Sequence, residues 1–504
     1  MISILVFAAV LAGLGLLAHF RRQRPIGHLA GPSSPSWIFG NLLQLADAPQ
    51  HGDYEFAWRK RFGDVYRIKG CFGEDRLLVA DPAALQFILN NPIFAFSPAY
   101  RTLMSWVFGP RSIGALQGAP HKELKSKMNI GFTAAAVRQY QSTFEHIARR
   151  ASLSDRLENI DTPSTDLVPL LSDTTLNAIT EVVFGCSTEQ LDADFVRSST
   201  QILVPPPNQY AAQSLFSAIA SRFPTRVLQP AIHLPTGIFK TLRAQRRLAG
   251  REGWRLVNEK VEAIKHGMEL DDLYSRFGHN GDRSRHFPDS LPIHRMQAIT
   301  LCFGLIELAK NPQLQTDLRQ EIHAARGMNH RTIAYESLAL LNALIKETLR
   351  MYPPEPIADR VAGEDVDIPL SQPITSTTGD KVMHIPIRKG QILSVAIASY
   401  QRLESRWGED AHKFRPSRWL DGTVHQGEAI GPYANLLSFL GGPRVCLGWR
   451  FAVTEMQVIL CELVGKYSFS LPEDQRTRAK GGFMLLPVDS EGQTCARLRV
   501  RRVV

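Results

Sequence analysis

The chain begins with an unbroken apolar run. Residues 2–20 read Ile-Ser-Ile-Leu-Val-Phe-Ala-Ala-Val-Leu-Ala-Gly-Leu-Gly-Leu-Leu-Ala-His-Phe, and Arg21, Arg22 and Arg24 follow at once. At 1.5 Å per residue a helix of that length spans roughly 28 Å, close to a bilayer core of about 30 Å. Positive charge after the span, with none before it, predicts an outside N-terminus and a cytosolic remainder. A cleaved signal peptide would want basic residues first and a small-x-small site afterwards, and neither is there. Prolines 25, 32 and 35 then stiffen a spacer, so 1–20 is expected to be an anchor and 21–44 a basic, Pro-rich hinge.

From about 50 to 92 the pattern alternates. Asp64–Lys69 and Arg76–Ala80 predict a hairpin across Gly70–Asp75. Asp81 and Pro82 predict a helix start, with Asp81 as N-cap. From about 120 to 350 the period is helical, with helices expected over 135–150, 165–185, 240–265, 298–325 and 335–352. Short strands return after 353, and Trp449–Val464 reads as an amphipathic helix. The fold class is mainly α with small β-sheets, one domain over 45–504, preceded by one transmembrane helix.

Composition adds limits. The 504 residues are 44% hydrophobic and 21% charged, which suits a globular chain. The six cysteines lie far apart with no CxxC pair, which argues against a zinc site or a disulfide framework. The net charge of +10 is mostly dispersed. It suits an anionic membrane face and an acidic redox partner, and no aromatic-interleaved basic patch points to nucleic acid.

The segment richest in chemistry is Phe439-Leu-Gly-Gly-Pro-Arg-Val-Cys-Leu-Gly448. Gly441, Gly442 and Pro443 predict a tight, open turn that lets a flat partner approach the backbone. A helix starting just after Cys446 would aim free N–H groups at the sulfur and favour the thiolate, the form that binds iron. The bland reading is a buried free cysteine in a turn. The spacing Phe-x-x-Gly-x-Arg-x-Cys-x-Gly resembles the haem-binding loop of the cytochrome P450 family. That resemblance implies Cys446 as axial ligand of haem b, with Phe439, Gly442 and Gly448 shaping the loop.

Glu347-Thr-Leu-Arg350 places Glu347 and Arg350 on one helical face. By itself this is weak, because Glu-x-x-Arg is common. The resemblance implies that both lock with Arg418, in Phe414-Arg-Pro-Ser-Arg-Trp419, to brace the cysteine loop. Haem propionates need cationic partners, and the resemblance nominates Arg444, Arg360, and the i, i+4 pair His121 and Lys125.

One stretch departs from the family. Counting back from Asn311-Pro312, its Ala-Gly-(Asp/Glu)-Thr-Thr should fall at 292–297, where this chain has Pro-Ile-His-Arg-Met-Gln. Residues Phe277–Pro292 cannot form the apolar first half of a long helix, because Pro288 and Pro292 break it. Segment 270–297 is therefore atypical, and His294, Gln297 and Thr300 are the substitute candidates for proton relay. Three readings follow: a working oxygenase with such a relay, a non-oxygenating isomerase or dehydratase of the same fold, or a catalytically impaired haem-binding remnant with an altered segment.

The chain resembles membrane-bound fungal members of specialised metabolism, which implies a haem-thiolate monooxygenase acting on a small apolar, terpenoid-like substrate. Electrons would come from NADPH through NADPH–cytochrome P450 reductase, with cytochrome b5 as a further partner, at the endoplasmic reticulum membrane. Phe94, Phe96, Tyr100, Trp106, Phe108, Ile357, Ala358 and Phe483–Leu485 are the expected substrate lining.

Overall fold

The computed structural model describes residues 26–152, 157, 164–201, 210–266, 294–328, 333–424, 429–473, 477–482 and 484–503. The apolar run 2–20, Arg21, Arg22, Arg24, most of segment 270–297 and Phe483 lie outside them.

The hairpin forms with β1 (Val65–Lys69) antiparallel to β2 (Asp75–Val79). Helix α1 (Pro82–Asn90) starts where expected, and the Asp81 carboxylate accepts the Ala84 N–H at 2.9 Å. The same carboxylate accepts the Ser371 N–H, which ties α1 to a later hairpin. Strands β1, β2, β5 (Ile392–Ala396), β4 (Ile357–Ala362) and β3 (Phe94–Ala95) form one sheet in that order. Only the β2–β5 pairing in it is parallel. An apolar core lies against this sheet.

The larger core lies among helices. The helices run in order α2 (Pro98–Phe108), α3 (Gly118–Met128), α4 (Leu167–Phe184), α5 (Tyr210–Ala220) and α6 (Gly237–Lys265), of which α4 and α6 contribute to that core. They continue with α7 (His294–Lys310), α8 (Pro312–Met328), α9 (Ala339–Met351) and α10 (Trp449–Lys466). The expected helix over 135–150 divides at Tyr140, whose N–H reaches back only to Val137 O. The one expected over 298–325 is two helices, because Pro312 has no N–H to continue the first. Helix α10 is not amphipathic: from Phe451 to Gly465 every residue but Thr454 is buried. It runs through the helical core, against α7, α8 and α9.

Among the described residues, α4 alone is long and apolar enough to cross a membrane, and it is mostly buried inside the protein.

Candidate functional site

Cys446 lies between a 3-10 turn, Gly442–Arg444, and the start of α10. Its N–H donates to Phe439 O at 2.9 Å, closing the loop on itself. Burial pushes the Cys446 thiol up, against the opposing pull of the Gly448 N–H and the Lys125 ammonium. The helix N-terminus was expected to favour the thiolate by itself. Desolvation outweighs it, so a thiolate here calls for a bound cation such as a metal.

Two of the loop glycines are required by the protein's own packing. Gly442 has φ +62°, and a Cβ there would lie 2.2 Å from Leu89 O at the end of α1. A Cβ on Gly441 would meet Ile430 O at 2.4 Å. The open turn is needed for close backbone packing behind the loop.

Lys125, on α3, donates to Pro443 O at 2.9 Å and Val445 O at 2.6 Å. Its ammonium is thus engaged by carbonyls on either side of Arg444. His121, one turn earlier, is buried. Burial holds its pKa down at about 4, with Arg444 and Lys125 adding to the effect.

Glu347, Arg350 and Arg418 meet in the interior, each 1% exposed or less. Arg350 binds both oxygens of the Glu347 carboxylate at 2.8 Å, and Arg418 Nε adds a bond to Oε1 at 3.0 Å. The Arg415 N–H and Trp419 Nε1 complete the shell. Burial would raise the Glu347 carboxyl, but these donors outweigh it and hold it below its ordinary value. Most remaining guanidinium donors go to carbonyls, including Gln401 O and Ala411 O from Arg350 and Trp407 O from Arg418, and Arg418 Nη1 also donates to the Asp410 carboxylate at 3.1 Å.

Sequence reasoning missed Gln401. Its side chain donates to Leu349 O and Arg350 O and accepts the Leu437 N–H. It thereby joins the end of α9 to the start of the cysteine loop. Nothing in the local pattern Tyr400-Gln-Arg402 marks it; only the fold brings its partners together.

A cationic cluster faces the loop. The Arg360 guanidinium lies 4.3 Å from the Phe96 ring centre and that of Arg444 5.0 Å from it. Arg444 Nη2 donates to Leu116 O, and Arg360 Nη1 to Asp359 O. Arg360 Nη2 is buried without a hydrogen-bond partner among the described residues, as is Arg101 Nε. Burial, together with the neighbouring Arg360 charge, lowers Arg444 to about 10. Buried donors without anions are costly, so the cluster fits a group that brings its own negative charge. The two propionates of haem would satisfy it, and Cys446 would be left for the iron.

Two of the three candidate relay side chains, Thr300 and Gln297, have other engagements. The Thr300 hydroxyl donates to Met296 O within α7. Gln297 faces the buried carboxyl of Glu455 on α10, which burial drives well above its ordinary value. His294 is fully buried, and its carbonyl accepts the Thr175 hydroxyl from α4.

Of the expected lining, Phe96 stacks on Tyr100 at 4.5 Å under the two guanidiniums. Phe94 pairs with Phe87 in the sheet core. Trp106 packs against Phe216 and Phe239, joining α2 to α5 and α6. Phe108 is half-buried at the end of α2. The Leu485 N–H donates to Pro354 O, which brings 484–485 beside the segment leading to Ile357 and Ala358.

A family model described as Cytochrome P450 matches residues 30–247 and 297–495. The chain belongs to the cytochrome P450 family. It is 28% identical to cytochrome P450 monooxygenase 91 of Postia placenta, over 95% of this chain and 94% of that one. Cytochrome P450 monooxygenase claO of Ampulloclitocybe clavipes is 27% identical, over 99% and 98%. The protein is accordingly a cytochrome P450 monooxygenase, an oxidoreductase, and its family implies haem and iron. The family match lapses over 248–296, a span that holds most of the atypical segment. The alignment to claO runs to 543 positions, more than this chain has residues, so the relative carries residues that this chain lacks.

Proposed function

We propose that this P450 is a membrane-anchored haem-thiolate monooxygenase that inserts one oxygen atom of O2 into a small, largely apolar substrate of the terpenoid class. Cys446 is the axial ligand of haem b, and Arg360 and Arg444 take the propionates. NADPH–cytochrome P450 reductase supplies electrons from NADPH, with cytochrome b5 as a second donor. Bound haem supplies oxygen activation, to which electron donation from the axial sulfur contributes. The protein's own part is to hold the loop, neutralise the propionates and keep water from the sulfur.

The observation that carries this reading is the buried, unpaired Arg360 donor beside Arg444, on the loop that holds Cys446. The terpenoid class rests on the resemblance alone. Reducing the purified protein under carbon monoxide tests the ligand. The long-wavelength Soret band of a thiolate-ligated haem is expected, and its absence refutes the reading. Cys446→Ser abolishes the band; a retained band rejects Cys446 as ligand.

The placement is the endoplasmic reticulum membrane, single-pass, with the catalytic domain cytosolic. The apolar run 2–20 supports it. So do exposed apolar side chains at Trp37, Ile38, Phe223, Val227 and Ile238. Trp37 packs on Phe72, and α5, just before Phe223, packs on the same 71–73 turn, so these segments neighbour one another.

The lapse at 248–296 and the missing acid–alcohol pair favour a second reading, an impaired enzyme. It consumes NADPH in excess of product. Tight coupling of the two would rule it out.

A further inference from the structure

Lys125 belongs to the set expected beside the propionates, and the structure puts it to another use. It lies in the last turn of α3. Its ammonium donates to Val445 O at 2.6 Å and to Pro443 O at 2.9 Å. Val445 O belongs to the peptide group whose nitrogen is that of Cys446. The N–H of the same peptide group donates to Phe439 O at 2.9 Å. Both polar ends of the amide leading into Cys446 are therefore held, one of them by a full positive charge. Bonds assisted by charge in this way are shorter and stronger than neutral ones.

The charge has no other employment. Among the described residues Lys125 makes no ion pair with a carboxylate. Its charge acts through space on the Cys446 sulfur, in the sense that favours negative charge there. Lys127, on the same helix, is a contrast: it pairs with Glu123 at 2.7 Å, and both side chains are exposed.

We propose that Lys125 is a positioning residue for the axial cysteine whose fixed charge raises the reduction potential of the bound haem, and that it is not a propionate partner. This rests on the haem-thiolate reading of Cys446. The two bonds fix the carbonyls on either side of Arg444, and with them the approach of the chain to the ligand. Groups that orient a ligand from behind in this way also tune the metal. The charge has a separate effect. An electron added at the haem makes the site more negative, and a cation held near the sulfur favours that state. Exposed charges farther off are screened by salt.

Spectroelectrochemical titration of the full-length holoprotein reads the potential without turnover. Lys125→Gln keeps a donor for the carbonyls and removes the charge. Its midpoint should fall by about 59 mV, a tenfold change in the one-electron equilibrium. Lys125→Met supplies a second uncharged side chain, and its midpoint should fall at least as far. Lys125→Arg, which keeps charge and donors, should stay near the wild type, and Lys127→Gln should not move. Resonance Raman should show the iron–sulfur stretch displaced in Lys125→Gln. A wild-type midpoint in both uncharged variants overturns the proposal. So does an equal fall in Lys125→Arg or in Lys127→Gln. A lowered midpoint with an unmoved iron–sulfur stretch and faster haem loss would return Lys125 to the propionates, and overturns it as well. Failure of the haem-thiolate reading shows separately, in the carbon monoxide spectrum of the wild type.

Discussion

The Gln401 carboxamide oxygen accepts the Leu437 N–H at 2.8 Å while its nitrogen donates to Leu349 O and Arg350 O, both at 2.9 Å. One neutral side chain so links the last turn of α9 to the strand of chain entering the cysteine loop. Ser438 Oγ reinforces the link by bonding Leu349 O at 2.6 Å. Gln401→Leu keeps the volume and strips the polar atoms, leaving buried backbone groups unpaired. Urea denaturation should register a loss of about 2–4 kcal/mol. A loss below about 0.5 kcal/mol would show that the link is dispensable.

Glu347 presents a sharper case. Glu347→Gln removes the charge that two fully buried guanidiniums face. The expected destabilisation is about 3–5 kcal/mol, because breaking a buried pair leaves uncompensated charge. Soluble yield and unfolding midpoint both report it, and a variant of wild-type stability would contradict the brace.

Gly442 and Gly448 separate backbone demand from ligand demand. Alanine at 442 faces both a left-handed φ and a backbone oxygen at 2.2 Å. Alanine at 448 meets nothing nearer than Phe132 Cε1 at 3.7 Å. Thermal unfolding should therefore fall clearly for Gly442→Ala, by about 2 kcal/mol or more, and little for Gly448→Ala. Equal effects would argue against the packing explanation.

His51 provides a pH test. Burial, aided by Arg402, holds it down at about 3. A group depressed in the folded state contributes stability that is full above the unfolded value of 6.5 and is lost as pH falls toward 3. By pH 5 its share of the loss is up to about 2 kcal/mol. His121 and His412 are shifted the same way and contribute in the same direction. His51→Gln should flatten the fall in urea midpoint between pH 7 and pH 5. A slope equal to wild type would show that His51 protonates freely when folded.

Much of the scaffold was legible because it follows from local rules. The Asp81-Pro82 start and the 65–79 hairpin are set by neighbours in sequence. The spacing that suggested Glu347 with Arg350 works because three residues make a helical turn. What escaped depends on distant chain. Gln401 has no motif, and its partners lie 36 to 52 residues away. Lys125 was expected beside a propionate, and its bonds to the carbonyls of Pro443 and Val445, far along the chain, could not be foreseen. The pull of the Gly448 N–H on the Cys446 sulfur follows from the helix start, whereas the opposing burial could not be read from the sequence. Helix α10 looked one-sided, yet α7, α8, α9 and the helix Gln141–Ser152 all pack against it.

The brace has a consequence for how the chain assembles. Glu347, Arg350, Gln401, Arg418 and Leu437 belong to one continuous stretch, and the bonds among them close loops of at most 71 residues. Lys125 reaches the same loop across 318 and 320 residues. Short loops close at lower entropic cost, so the C-terminal stretch can set its cysteine in place before α3 arrives. In refolding, protection of the Leu437 amide should precede burial of Lys125.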